Sequence, residues 1–249
     1  VNSAGVASLI KAISGGFILY SGGFDERKNV ALILAAYGML REELRHHYPL
    51  VLAGTVSSSQ REEYERVARC HGLNKADVVF TGFLPEEDLI AAYANCSLFV
   101  FPSLHEGFGL PALEAMACGA PVIAADSSSL PEVVGLSEAL FDPLSPGSLS
   151  ELMDKALTDQ DFEASLRENA ATKAAQFSWK KSATLALETL RSACQQQPGS
   201  GPREPILVAD LIAQIAALDG PRPSDADLIE TAYHIERSLG ENFIYTSHS

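Results

Sequence analysis

Residues Phe99–Asp126, FVFPSLHEGFGLPALEAMACGAPVIAAD, read as strand, glycine-rich loop, short helix and strand in close succession. Phe99–Phe101 ends an apolar strand, which Pro102 and Ser103 stop. Gly107 and Gly109 bracket Phe108 in a loop where missing side chains let a ligand lie against the backbone. Pro111 suits the first turn of the helix and Gly119 its C-terminal cap, and Val122–Ala125 begins the next buried strand. Two carboxylates belong to this unit, Glu106 in the loop and Glu114 inside the helix. The loop and helix start offer N–H groups and a positive dipole end, a setting for phosphate. The carboxylates can accept hydrogen bonds from vicinal hydroxyls. Phosphate at the backbone and hydroxyls at the glutamates together describe a nucleotide-sugar.

Working outward, Phe17–Ser21 is a continuous apolar run that fits a strand covered on both faces. Gly22-Gly23 ends it, and Asp25, Glu26, Arg27 and Lys28 are expected to open a helix with Val30, Ile33, Leu34 and Tyr37 on its apolar face. Leu50–Ala53 is the second strand, closed by Gly54. Ser57–Ser59 cap a helix that turns Tyr64, Val67 and Ala68 inward and stops at Gly72. Val78–Thr81 is the third strand, Gly82-Phe83-Leu84 a loop, and Pro85–Asp88 an acidic, proline-led helix start. Leu98–Phe101 and Val122–Ala125 follow as strands, and Glu138–Phe141 is expected as a sixth. Three helices come next: one capped by Ser148 and running to Leu157, one over Asp161–Ala175, and one over Trp179–Cys194 with Ser178 as N-cap. The alternation predicts an α/β fold, a Rossmann-like doubly wound parallel sheet of about six strands with an appended C-terminal helical segment. In such sheets ligands bind beyond the carboxyl ends of the strands. That rule lines up the loops at Gly22, Gly54, Gly82 and Glu106 along one edge.

Residues 1–16 read as a linker, 17–195 as the Rossmann-like domain, and 196–249 as a linker followed by an amphipathic helical pair. The pair carries Leu211, Ile212, Ile215 and Leu218, then Leu228, Ile229, Tyr233 and Ile235, with Ser224 starting a capping box. Two helices this short cannot bury their own apolar stripes, so they are expected to dock on this domain, another lobe or a further module.

The central stretch resembles the retaining, metal-independent glycosyltransferases with two Rossmann-like lobes, the GT-B fold, in the large group that includes bacterial mannosyl- and glucosyltransferases. Their C-terminal lobe carries two glutamates separated by seven residues in a context like EGFGLPALEAMACGAPVI, here Glu106 and Glu114. The resemblance runs over roughly Phe17 to Cys194 and is most specific between Thr81 and Asp126. It implies that Glu106 contacts the donor sugar, that Glu114 holds the ribose hydroxyls, and that the backbone at Phe108, Gly109 and Leu110 lies along the sugar and diphosphate. Many members have Gly-Arg at the first turn and a Lys five residues on; here the turn is Gly22-Gly23 and the lysine is Lys28, so Arg27 is expected to supply the guanidinium. The Thr81-Gly82-Phe83 loop resembles the segment whose backbone reads the nucleobase edge, although Phe83 also suits a core position.

The implied activity is transfer of a hexosyl group from a nucleotide-sugar to a hydroxyl acceptor with retention, in bacterial polysaccharide or glycolipid synthesis, with no cofactor and no metal. The resemblance also implies an acceptor-binding lobe ahead of Phe17 that this chain does not contain, leaving the chain nearly inactive alone. It adds a cytoplasmic location with peripheral contact at the inner face of the membrane. A sugar-nucleotide epimerase or a non-catalytic nucleotide-sugar-binding module would share the donor contacts. A NAD-dependent enzyme is disfavoured, since no G-x-G-x-x-G follows the first strand.

A net charge of −14 disfavours a nucleic-acid surface and directs attention to local cations near the loops. Cys70, Cys96, Cys118 and Cys194 form no C-x-x-C, and the first three fall in apolar patterns that predict buried free thiols. No stretch has the roughly 18 uninterrupted apolar residues that a transmembrane helix needs. His105 adjoins Glu106 and reads as solvated unless a ligand reaches it.

Overall fold

The computed structural model describes residues 16–195, so the expected linker before Gly16 and the helical pair after residue 195 lie outside the described residues. Six short strands form one parallel sheet: β1 (Ile18–Ser21), β2 (Leu50–Ala53), β3 (Val78–Gly82), β4 (Leu98–Phe101), β5 (Val122–Ala125) and β6 (Leu140–Phe141). Their spatial order is β3-β2-β1-β4-β5-β6, every neighbouring pair parallel. β1, β2, β4 and β5 are apolar and buried at every position, except that β1 ends on the buried hydroxyl of Ser21. Continuous burial, not alternation, is what helices on both faces require.

The helices are α1 (Val30–Met39), α2 (Glu42–His47), α3 (Ser58–Cys70), α4 (Glu86–Asn95), α5 (Leu110–Ala117), α6 (Leu130–Val134), α7 (Pro146–Thr158), α8 (Gln160–Ala174) and α9 (Trp179–Gln195). α1 packs with α3 and α7 in one layer, and α5 packs with α4, α6 and α8 in the other. Contacts divide the chain into two compact units at Gln176, and α9 belongs to the second. Local chemistry sets the helix starts: Ser57 and Gln60 complete the expected capping box at α3, and Ser178 accepts from Lys181 N–H.

Several boundaries differ from the sequence-based expectation. No helix opens at Asp25; Glu26–Lys28 is a single 3-10 turn, and Asn29 in a left-handed conformation (φ 55°) separates it from α1. α2 and α6, each shorter than two turns, carry too little periodicity to stand out in the sequence. β6 covers only Leu140–Phe141, because Ser137–Ala139 coils into a 3-10 turn. α7 is capped by Ser145, which places Pro146 in its first turn; Ser148 instead accepts the Asp142 N–H. Asp159 caps α8 through the amides of Asp161 and Phe162.

Candidate functional site

The strand order reverses between β1 and β4, so the loops leaving these two strands diverge and open a crevice at their carboxyl ends. Leu104 N–H donates to Arg27 O at 2.8 Å across that gap. Asn29 Nδ2 donates to Pro102 O at 3.3 Å and to Pro143 O at 2.9 Å. Asparagine tolerates the left-handed region better than most residues, and here that geometry carries its amide to the opposite loop.

The same turn brings Lys28 into the crevice. Its Nζ lies 2.5 Å from Glu106 Oε1 and 5.6 Å from the centroid of the Phe101 ring. Ser103 Oγ donates to the same carboxylate oxygen at 2.6 Å, and its side chain is fully buried. The Lys28 and Glu106 side chains are only 14% and 12% exposed, so their attraction is weakly screened. Arg27, the other expected cation, turns the opposite way and pairs with Asp25 at 3.0 Å on the surface. The structure thus joins Lys28, not Arg27, to Glu106.

Three consecutive serines after β5 hold the glycine-rich loop, a role that nothing in the sequence reading assigned. Ser127 Oγ donates to Leu104 O; Glu106 N–H donates to Ser128 Oγ at 3.0 Å; Ser129 Oγ donates to Glu106 O at 3.1 Å and to Phe108 O at 2.9 Å. Ser128 is left-handed (φ 49°), an uncommon state for serine. A run of hydroxyls directly after a strand at the binding edge was the available signal. Gly109 begins α5 at φ 99°, and a Cβ there would lie 2.6 Å from Leu130 Cδ2. Among the described residues, the amides of Gly107, Gly109 and Leu110 donate to no protein acceptor. A loop with such amides at a helix start can hold an anion.

Glu114 lies on α5, and its Oε2 accepts from Tyr93 Oη at 3.3 Å. The other expected loops lie along the same edge: Gly22 N–H donates to Ala53 O and Gly54 N–H to Gly82 O, both at 3.0 Å. Tyr20 Oη donates to Gly23 O at 2.5 Å and holds the first turn down. Phe83 is 76% exposed beside that edge, which rules out the core position that its sequence also suited. His105 is exposed. A separate groove of about 470 Å³ flanks edge strand β3, lined by Arg61, Arg69, Lys75 and Phe80, and none of these loop residues lines it.

Cys96 is buried as expected, Cys118 is half-buried, and Cys70 is exposed because α3 turns it outward. Burial pushes the Cys96 thiol up to about 12. Burial likewise raises the phenols of Tyr20, Tyr37 and Tyr93 above the ordinary value of 10.0. A raised value in the fold means that the unfolded chain loses its proton first. These groups therefore contribute fully below the unfolded values of 9.0 for the thiol and 10.0 for the phenol, and the contribution is lost as pH rises towards the folded values. Stability measured by urea unfolding is expected to stay level up to about pH 9 and to fall above it. Tyrosinate absorbance from the buried rings should develop only together with loss of helical circular dichroism.

The described residues contain no cluster of three or more potential metal ligands and no helix long and apolar enough to cross a membrane. The family model for glycosyl transferases group 1 matches residues 10–173, the whole of the sheet and both helical layers. The chain belongs to that family. It is 41% identical over 226 residues to the serotype-specific mannosyltransferase WbdA of Escherichia coli, covering 89% of this chain and 27% of WbdA. An alignment of that length cannot fit within residues 17–195, so the likeness continues into the flanking segments. Among solved structures, sucrose-phosphate synthase from Thermosynechococcus elongatus superposes with a TM-score of 0.65 at 26% identity, over 78% of this chain and 49% of that one. Anabaena HepE in complex with UDP and glucose also gives 0.65, at 23% identity, over 77% of this chain and 53% of that one. The architecture is therefore that of one lobe of the GT-B glycosyltransferases, and this chain spans about a quarter of the length of WbdA.

Proposed function

We propose that residues 17–176 bind the donor of a glycosyltransferase, a nucleoside diphosphate sugar, and that the complete enzyme transfers the sugar to a hydroxyl acceptor with retention and without a metal. The observation that carries this reading is the Lys28–Glu106 pair at 2.5 Å, set where the strand order reverses and beside the amides of Gly107, Gly109 and Leu110. A cation and a row of amides suit a diphosphate, and a carboxylate beside them suits the hydroxyls of the sugar. Lys28 and the loop backbone stabilise charge on the departing diphosphate, and Arg27 would join them only by leaving its surface pair with Asp25. Glu106 orients the sugar, Glu114 takes the ribose hydroxyls, and the Gly82-Phe83 backbone faces the base. Neither glutamate acts as a covalent nucleophile in this scheme.

Similarity to WbdA supports mannose as the transferred sugar and a surface polysaccharide as the product. In this reading a second lobe supplies the acceptor contacts, so this chain alone binds donor without turning it over. Peripheral contact with the inner face of the membrane would bring the second lobe to a lipid-linked acceptor. Titration calorimetry of nucleoside diphosphates against the chain tests the ribose assignment. Glu114→Ala is expected to weaken binding by about tenfold, the loss of hydrogen bonds to a charged acceptor. Unchanged affinity would remove Glu114 from the site.

A further inference from the structure

We infer that Tyr93 is a positioning residue that fixes the Glu114 carboxylate for the donor ribose, an inference that rests on the ribose role proposed for Glu114. Glu114 projects from an exposed position on α5, where each bond to its carboxylate narrows the orientations the side chain samples. Tyr93 on α4 is 2% exposed, and its hydroxyl donates to Glu114 Oε2 at 3.3 Å. Its ring stands edge-on to Phe99 of β4, with centroids 5.4 Å apart and planes at 77°. Ser21, the buried last residue of β1, neighbours the Tyr93 hydroxyl and opposes the rise of its pKa. The phenol is thus held by its burial against Phe99 of β4, beside the reversal point, and it passes that rigidity to a glutamate on the next helix.

Burial raises the Tyr93 phenol above its ordinary value, with the Glu114 charge adding to the effect, so it stays a donor across the working pH range. A buried tyrosine that needed only a partner could have used a backbone carbonyl, as Tyr37 does with Arg45 and Tyr48. A carboxylate has about four acceptor positions, and the Tyr93 hydroxyl takes one of them.

The test compares uridine and guanosine diphosphates with their 2′,3′-dideoxy counterparts, titrated into the full chain. Tyr93→Phe keeps the ring on Phe99 and removes only the hydroxyl. It is expected to weaken ribonucleotide binding about three- to tenfold and to leave dideoxynucleotide binding unchanged, so the preference for ribose shrinks. Equal loss for both nucleotides, or no loss for either, would overturn the inference. Ser21→Ala, which removes the hydroxyl neighbouring the phenol, should shift the same ratio in the same direction by less, and gives the readout if Tyr93→Phe folds poorly; an unshifted ratio there would equally count against the inference. Glu114→Ala is the reference. If it leaves the ribose preference intact, the reading of Glu114 fails and the inference falls with it; if it abolishes the preference while Tyr93→Phe and Ser21→Ala preserve it, only the inference fails.

Discussion

Lys28→Ala is expected to lower nucleoside diphosphate affinity by more than a hundredfold, the largest loss from any single side chain in the crevice. Two effects add. At about 4 Å, with an effective dielectric of about 20, one unit charge pair contributes about 4 kcal/mol, and a diphosphate offers more than one charge. Removal of the ammonium also leaves Glu106, 12% exposed, with Ser103 as its remaining side-chain partner, so the crevice becomes negative at the proposed position of the diphosphate. The same change should destabilise the fold, by up to about 3 to 5 kcal/mol for a fully buried pair and by less here, since both groups keep some contact with water. Lys28→Arg should retain part of the affinity, because the charge survives while the single-point contact to Glu106 does not. Glu106→Gln separates the two roles: it keeps the shape of the site and an amide oxygen for Lys28 but leaves the ammonium without its counter-charge, so stability should fall while diphosphate affinity is largely kept. Calorimetric affinities within twofold of wild type for Lys28→Ala would take the cation out of the donor site.

Gly54→Ala should be the most damaging one-methyl change among the glycine loops at this edge. The backbone at Gly54 has φ 144°, and a Cβ would fall 2.0 Å from Gly22 O, a backbone atom that cannot swing aside. Gly54 N–H also donates to Gly82 O, and Gly22 N–H to Ala53 O, so the three loops cannot separate without breaking these bonds. Overpacking and strain of this kind cost about 1 to 3 kcal/mol each, and the Gly22 turn that would move is the one leading to Lys28. The urea midpoint and diphosphate affinity should fall together. Gly72→Ala is the control: Gly72 is left-handed (φ 74°), but nothing lies within 4 Å of its Cβ, so only backbone strain of about 1 kcal/mol is expected. Equal costs at the two positions would mean that the loops slide apart freely.

The strands were legible because a sheet covered on both faces must be apolar at every position, and five of the six stand within one residue of where the hydrophobic runs place them. The sixth was overextended, since Ser137–Ala139 has the composition of a strand end but coils to reach it. The alternation of strands and helices carried the doubly wound order, and with it the edge where the glycine loops gather. Lys28 and Glu106 were both named from sequence, yet their direct pairing was not. That contact joins residues 78 positions apart and depends on the left-handed Asn29, which no propensity specifies in advance. The serine clasp was missed for a related reason: Ser127, Ser128 and Ser129 are ordinary turn residues until the fold places them against Leu104, Glu106 and Phe108. Phe83 allowed two readings, a loop residue at the binding edge or a core residue, and the structure removes the second by leaving the ring facing out.

Amide hydrogen exchange of the chain, with and without a saturating nucleoside diphosphate sugar, tests most directly whether this edge is the donor site. Slowed exchange is expected at residues 22–29, 54, 82–83 and 103–114, the loops that gather around Lys28 and Glu106, and Lys28→Ala should erase it. Protection confined to the groove beside β3, around Arg61 and Lys75, with the Lys28 and Glu106 loops unchanged, would contradict the assignment.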